Sequence, residues 1–132
     1  MITFRLSKPT PSLNPSSGAS GNWRARHARK MKLQRGWCAE ICWRGYGNVN
    51  IIPKARITIE RHSAGVLDVD NLYGGCKPLI DVLKPMDPKR NPFGLGIILD
   101  DKPDNLELIV RQVKSTRAAA CTVVTIEPIT QT

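Results

Sequence analysis

The amino-acid sequence predicts an α+β fold: a single domain in which two main helices pack on a small mixed β-sheet, in the order strand, helix, strand, helix, strand, strand. Three observations predict it. Apolar residues alternate with polar ones near the start (Ile2, Phe4, Leu6) and again in "KARITIERHS", residues 54–63, the period of half-buried strands. Two segments, one after Asn22 and one after Cys76, carry apolar side chains at helical spacing. The last third holds two β-rich runs, "NLELIVRQVKS" and "CTVVTIEPI". A chain of 132 residues suits one domain, so residues 1–132 are read as a single unit that can bury a sizeable core without disulfide or metal.

Taken in order, the first strand is expected over residues 2–8. Residues 9–22 are rich in Pro, Ser, Gly and Asn, fit neither period and read as a flexible loop. Asn22 suits the N-cap of a helix running to about Trp43, with Trp23, Met31, Cys38 and Ile41 toward the core and most basic residues outward. Gly45, Gly47 and Pro53 interrupt the chain before the second strand. That strand leads into "VLDVDNLYGGCKPLIDVLK", residues 66–84, which sets Asp68 and Asp70 at or just past a strand end. The second helix is expected over residues 77–84, with Leu79, Ile80 and Leu83 apolar. Pro78 is placed in its first turn, because deeper in a helix proline deletes a hydrogen bond and clashes. Residues 84–92 hold Pro85, Pro88 and Pro92 among charged residues and read as a loop. The segment "FGLGIILDD" follows, and the two final β-rich runs are expected to form an antiparallel pair.

The net charge of +9 favours a polyanionic partner, nucleic acid before anionic membrane. Its distribution narrows the choice. Arg24, Arg26, Arg29, Lys30, Lys32, Arg35 and Arg44 crowd one short span in which Glu40 is the only acid. Basic runs are usually solvated helix faces, but here few acids stand at i+4 to neutralise the surplus, which points to phosphate contact. No apolar run approaches the roughly 20 residues of a membrane helix. The four cysteines follow no short secreted framework and the start lacks a signal-peptide pattern, so a cytoplasmic protein with reduced thiols is expected.

Against this basic background the acids stand out. Asp68 and Asp70 lie two residues apart, and Asp100 and Asp101 close an apolar run. A lone D-x-D is more often a turn or a helix cap, and Asp100-Asp101 alone would read as a turn before Pro103. Together, Asp68, Asp70 and Asp101 offer hard oxygen ligands from two segments, the preference of magnesium or manganese. Carboxylates holding divalent ions beside a phosphate-binding surface form the combination that hydrolyses phosphodiesters.

With these residues in place, the chain resembles the RusA-like family of Holliday junction resolvases, endonucleases of phages and bacteria. The resemblance rests on D-x-D-N-L (Asp68, Asp70, Asn71, Leu72), on Lys77 and Asp81 in "CKPLIDVL", on "GIILDD" ending in Asp101, and on "TPSLN", residues 10–14, before a basic helix. It covers most of the chain in order. It implies that Asp68, Asp70 and Asp101 are metal-binding catalytic carboxylates, that Lys77 assists, and that a homodimer nicks four-way junctions in the bacterial host cytoplasm. In the family's founding pattern the lysine comes sooner after D-x-D-N-L, whereas here Tyr73, Gly74 and Gly75 lengthen the interval. The glycines could let the chain turn and bring Lys77 back, and Asp81 is expected to orient it from i+4 or to help hold the helix against the site, with a plain surface ion pair as the alternative.

Other chemistry-bearing residues fit blander roles. Cys38 and Cys42 stand at i,i+4 without a complete zinc ligand set and read as buried structural thiols. His27 and His62 have no acid or nucleophile at a suggestive spacing. Core packing is expected for Trp37 and Trp43, while Trp23 could stack on an unpaired base. Two rivals to a junction resolvase stand beside it: a nuclease for other branched DNA, and a non-catalytic nucleic-acid-binding protein whose acids are only caps.

Overall fold

The computed structural model describes residues 1–12 and 23–129. The expected cap at Asn22, most of the loop expected over residues 9–22, and Leu13 and Asn14 of the "TPSLN" run lie outside the described residues. Four strands and two main helices follow in the predicted order: β1 (Ile2–Leu6), α1 (Trp23–Ile41), β2 (Ala55–Ser63), α2 (Val69–Leu83), β3 (Leu106–Lys114) and β4 (Cys121–Pro128). The fold is α+β with one mixed sheet, ordered β1-β4-β2-β3.

Sequence alternation determines which side of the sheet is covered. On β2, Ala55, Ile57 and Ile59 are fully buried while Arg56, Thr58 and Glu60 are half-buried on the other side. Register extends this row: Ile57 pairs with Ile126 of β4 and Leu108 of β3, and Ile59 pairs with Val124 and Val110. Phe4 and Leu6 of β1, Trp37 and Ile41 of α1, and Cys76, Leu79, Val82 and Leu83 of α2 complete the cluster with Ile97 and Ile98. Each large aliphatic side chain buried in this way contributes roughly 1.5–3 kcal/mol. The core therefore clamps α2 against the sheet, which fixes the height and rotation of its outward face.

Three expectations are corrected. The two final β-rich runs are not neighbours, because β2 lies between them, antiparallel to β4 and parallel to β3. Parallel strands need a long crossover, and α2 supplies it between β2 and β3, leaving β4 to pair on the far side of β2. Next, α1 stops at Ile41 and passes into a wide turn, Cys42–Tyr46, where Gly45 takes φ 93°, a conformation that disfavours any side chain. Trp37 is buried as expected, but Trp43 in that turn is 86% exposed and Trp23 is 65% exposed, while Gln34 is buried in their place.

The third correction matters most for function: α2 begins at Val69, not at residue 77. Asp68 caps it, its Oδ1 accepting from the Asn71 backbone N–H at 2.9 Å and its Oδ2 from Asn71 Nδ2 at 3.1 Å. Pro78 consequently sits inside the helix, and the Gly74 carbonyl has no N–H to accept at that step. Buried Gln34 of α1 donates its Nε2 to the Pro78 carbonyl at 3.0 Å, tying the two helices together there. Gly74 and Gly75 are helical and do not turn the chain back. At Gly75 a β-carbon would run into the Pro11 carbonyl, so the glycine lets the segment after β1 lie directly on α2. That segment is secured by Arg61, whose Nε donates to the Thr10 carbonyl at 2.7 Å, with Cys76 Sγ 4.0 Å from Thr10 Oγ1.

Candidate functional site

Continuous helix from Val69 to Leu83 places Asp70, Tyr73, Lys77, Asp81 and Lys84 at successive steps of three or four residues, which is one stripe along α2 and its C-cap. Opposite the stripe lies the segment carrying Asp100 and Asp101. Backbone bonds hold it in place: Leu95 N–H donates to the Val82 carbonyl at 2.8 Å, and Ile97 N–H to the Leu83 carbonyl at 2.8 Å. Buried Ile97 and Ile98 then enter the core and aim the following acids at the helix. A cleft of about 290 Å³ separates the elements, lined by Tyr73, Lys77, Ile80, Asp101, Pro103, Leu106 and Leu108.

The centre of the site is an ion-pair network. Lys77 Nζ donates to Asp101 Oδ2, 24 residues away in the chain, and to Asp81 Oδ1 at 3.2 Å. Lys84 Nζ donates to Asp101 Oδ1 at 3.3 Å and lies 3.7 Å from Asp81 Oδ1 and 4.0 Å from Asp100 Oδ1. Asp100 Oδ1 accepts from the Asp101 backbone N–H at 2.7 Å. Burial works against the charge on Lys77, but hydrogen bonds and charge from Asp101 and Asp81 outweigh it and raise its pKa above the ordinary lysine value. The hydrogen bond from Lys77 is the chief reason the Asp101 carboxyl lies well below the usual carboxylate range; burial opposes this, and the Lys77 charge and Lys84 add to it.

α1 reaches the same network from the side. Lys30 Nζ lies 4.0 Å from Asp81 Oδ2, and the Arg35 guanidinium stands over the Phe93 ring at 6.0 Å from its centroid. Arg24, Arg26, Arg29, Lys30, Lys32 and Arg35 are all exposed, on the outward side of α1 as expected. The Arg24 guanidinium lies 5.6 Å from the centroid of the exposed Trp23 ring.

The predicted site residues are therefore only partly brought together. Lys77 and Asp101 are in contact, and Asp81 pairs with Lys77 from i+4. Asp68 and Asp70 lie at the other end of the stripe, Asp70 about 10 Å along the helix from Lys77. Both Asp68 oxygens are engaged by Asn71, whereas among the described residues no hydrogen bond or ion pair reaches the exposed Asp70 carboxylate. Among those residues no three carboxylate, imidazole or thiol groups stand together as a metal-ligating set. The donor type of Asp68, Asp70 and Asp101 is nevertheless the hard oxygen that magnesium takes. Sequence reasoning missed Lys84; its signal is its place seven residues after Lys77, two turns along the same face.

The remaining candidates keep their bland roles. Cys38, Cys42, Cys76 and Cys121 are free thiols, but Cys42 is exposed and Cys38 only partly buried, which corrects the burial expected for that pair because Cys42 falls in the turn after α1; His62 Nε2 lies 3.3 Å from Glu60 Oε1 away from the stripe. No helix among the described residues is long and apolar enough to cross a membrane. No protein-family model matches the chain, and no curated protein is significantly similar to it.

Proposed function

We propose that this protein is a magnesium-dependent endodeoxyribonuclease that resolves four-way DNA junctions by paired phosphodiester hydrolysis. The observation that carries the reading is the meeting of Lys77 with Asp101 on the α2 stripe, beside the basic face of α1. Charged residues distant in sequence are assembled next to a surface suited to phosphates. The resemblance to RusA-like resolvases, on Asp68, Asp70, Asn71, Leu72, Lys77 and Asp101, supports the same reaction.

On this reading Asp68, Asp70 and Asp101 would hold the magnesium ion, with manganese as a substitute, and a bound ion would supply an activated water and neutralise developing charge. Lys77 leaves part of its bond with Asp101 to face the transferring phosphate, and Lys84 keeps Asp101 paired and oriented. Arg24, Arg26, Arg29, Lys30, Lys32 and Arg35 bind the DNA backbone without reading bases. A homodimer, with two sites related by a two-fold axis, matches the symmetry of a junction and allows paired nicks. Such a protein works on DNA in the cytoplasm of a bacterial host.

A second reading has two observations in its favour: Asp68 serves as a helix cap and Asp101 is neutralised by two lysines, which suits a non-catalytic DNA-binding protein. One assay separates the readings. Purified protein is incubated with magnesium and end-labelled junction, flap, duplex and single-stranded DNA. Symmetric nicks in the junction support the resolvase, preferential flap cleavage supports a nuclease for other branched DNA, and binding without cleavage in magnesium or manganese supports the binding protein.

A further inference from the structure

The segment that follows α2 is more highly built than its proline content suggests. The Asp87 N–H donates to the Asn91 carbonyl at 3.0 Å and the Asn91 N–H returns to the Asp87 carbonyl at 2.8 Å, closing the turn. Within it, Asp87 Oδ1 accepts from the backbone N–H groups of Lys89 and Arg90 at 3.0 and 3.2 Å. These bonds hold the Asp87 carboxyl below the ordinary aspartate pKa. The closed turn is bolted to the end of α2: Asn91 Nδ2 donates to the Asp81 carbonyl at 2.7 Å and to the Pro85 carbonyl at 3.0 Å. Gly94 packs so tightly beneath it that a β-carbon would lie 2.6 Å from the carbonyl oxygens of both Lys84 and Pro85.

This framework holds up two cations. Lys89 and Arg90 are exposed at its tip, and their backbone groups, not their side chains, maintain the turn. The turn also borders the network described above, because a cleft of about 400 Å³ is lined by Asp81, Lys84, Asp87, Arg90 and Asn91. On its other flank, Phe93 carries Arg35 of α1. Basic residues therefore flank the turn, with Arg35 of α1 over Phe93 and Lys84 lining the shared cleft, while Arg90 and Lys89 stand on the turn itself.

We infer that residues 85–92 form a second DNA-backbone clamp, in which Lys89 and Arg90 contact phosphates of a strand leaving the candidate site at the C-terminal end of α2. The inference rests on the DNA-acting reading given above and extends it to a surface separate from the α1 face. Lys84 lies about 10 Å along α2 from Lys77, or roughly three nucleotide rises of 3.4 Å. The clamp therefore lies beyond Lys84, displaced along the α2 direction from the phosphate at Lys77. A rigid turn suits that role, since the backbone that carries the two cations is already ordered before binding.

The test is metal-free binding of labelled four-way junction DNA across a range of salt concentrations, for four proteins. They are the wild type, Lys89→Ala/Arg90→Ala, Lys89→Gln/Arg90→Gln, and Arg26→Ala/Arg29→Ala/Lys30→Ala, each checked for folding by circular dichroism. Two lost phosphate contacts should flatten the slope of log affinity against log salt by about 1.8, and three by about 2.7. The glutamine pair keeps side-chain length, so it stands in if the alanine pair unfolds. A wild-type slope in both clamp variants, with flattening in the α1 variant, overturns the clamp and leaves the DNA-acting reading intact. Absence of salt-dependent junction binding by the wild type overturns both.

Discussion

The two halves of the α2 stripe use the same residue types to opposite ends. In the C-terminal half, Lys77, Asp81 and Lys84 lock Asp101 into a neutralised network, joined from α1 by Lys30. In the N-terminal half, Asp68 spends its oxygens on Asn71 and Asp70 stands open to solvent in the first helical turn. The difference is one of available charge. Asp70 gains from the positive end of the helix dipole without being consumed by a cation, so it is free to meet a divalent ion. Asp101 is held in place by lysines that an ion or a phosphate must displace. The half with the least internal bonding is accordingly the better place for a ligand to enter.

The largest expected effect follows from that asymmetry. Asp70→Asn preserves shape and first-turn hydrogen bonding but removes the free negative charge. If Asp70 is a metal ligand, cleavage of junction DNA in magnesium should fall more than about a hundred-fold, the scale on which one charge-stabilising group acts. Metal-free junction binding should persist or tighten, since a carboxylate near the phosphates has gone. Near-wild-type cleavage by this variant would sink the metal-site reading and erase the functional contrast between the two halves.

The locked half yields the next effect. Lys77→Ala should lower cleavage roughly ten- to a hundred-fold while leaving metal-free junction binding within a few-fold. Its effect on stability should be small, because Lys77 is 54% exposed and pairs of this kind contribute below about 1 kcal/mol. The pH dependence has a definite sign. Asp101 has a depressed folded pKa, so its contribution is present above the unfolded value of about 3.9 and is lost as pH falls through the folded one. Lys77 has a raised folded pKa, so its contribution is present below about 10.4 and lost as pH rises through the folded value. Thermal unfolding of wild type and variant should therefore differ across neutral pH and converge toward both extremes. A difference that stays constant from neutral pH into strong acid contradicts the pairing with Asp101.

Much of this arrangement was legible in the sequence, and what was not has a physical cause. Period-two alternation revealed the interior of β2, because one sheet face is covered and the other is not. The start of α2 was hidden because Gly74, Gly75 and Pro78 are poor helix residues, each costing about 1 kcal/mol or more in isolation. Tertiary contacts override them: Pro11 needs Gly75 bare, and Gln34 reaches the Pro78 carbonyl. Lengthening the interval before Lys77 within a helix carries that residue farther along the same face, which separates it from Asp70 yet brings it to Asp101. Strand adjacency was similarly hidden, since nothing local in β3 or β4 says that β2 lies between them.

The smallest expected effect tests the free half most finely, because at Asp68 a cap and a candidate ligand coincide. The cap is seen directly in its hydrogen bonds to Asn71, so removing the acceptor in Asp68→Ala should cost about 1 kcal/mol of stability. Asn caps nearly as well, so Asp68→Asn should unfold within a few tenths of a kcal/mol of wild type. Measured by thermal or urea unfolding without metal, this pair isolates the structural role; cleavage in magnesium then isolates the charge. Full stability with lost cleavage in Asp68→Asn assigns the residue both roles. Full stability with full cleavage leaves Asp68 a cap alone, and the metal centre must then be built from Asp70 and Asp101 without it.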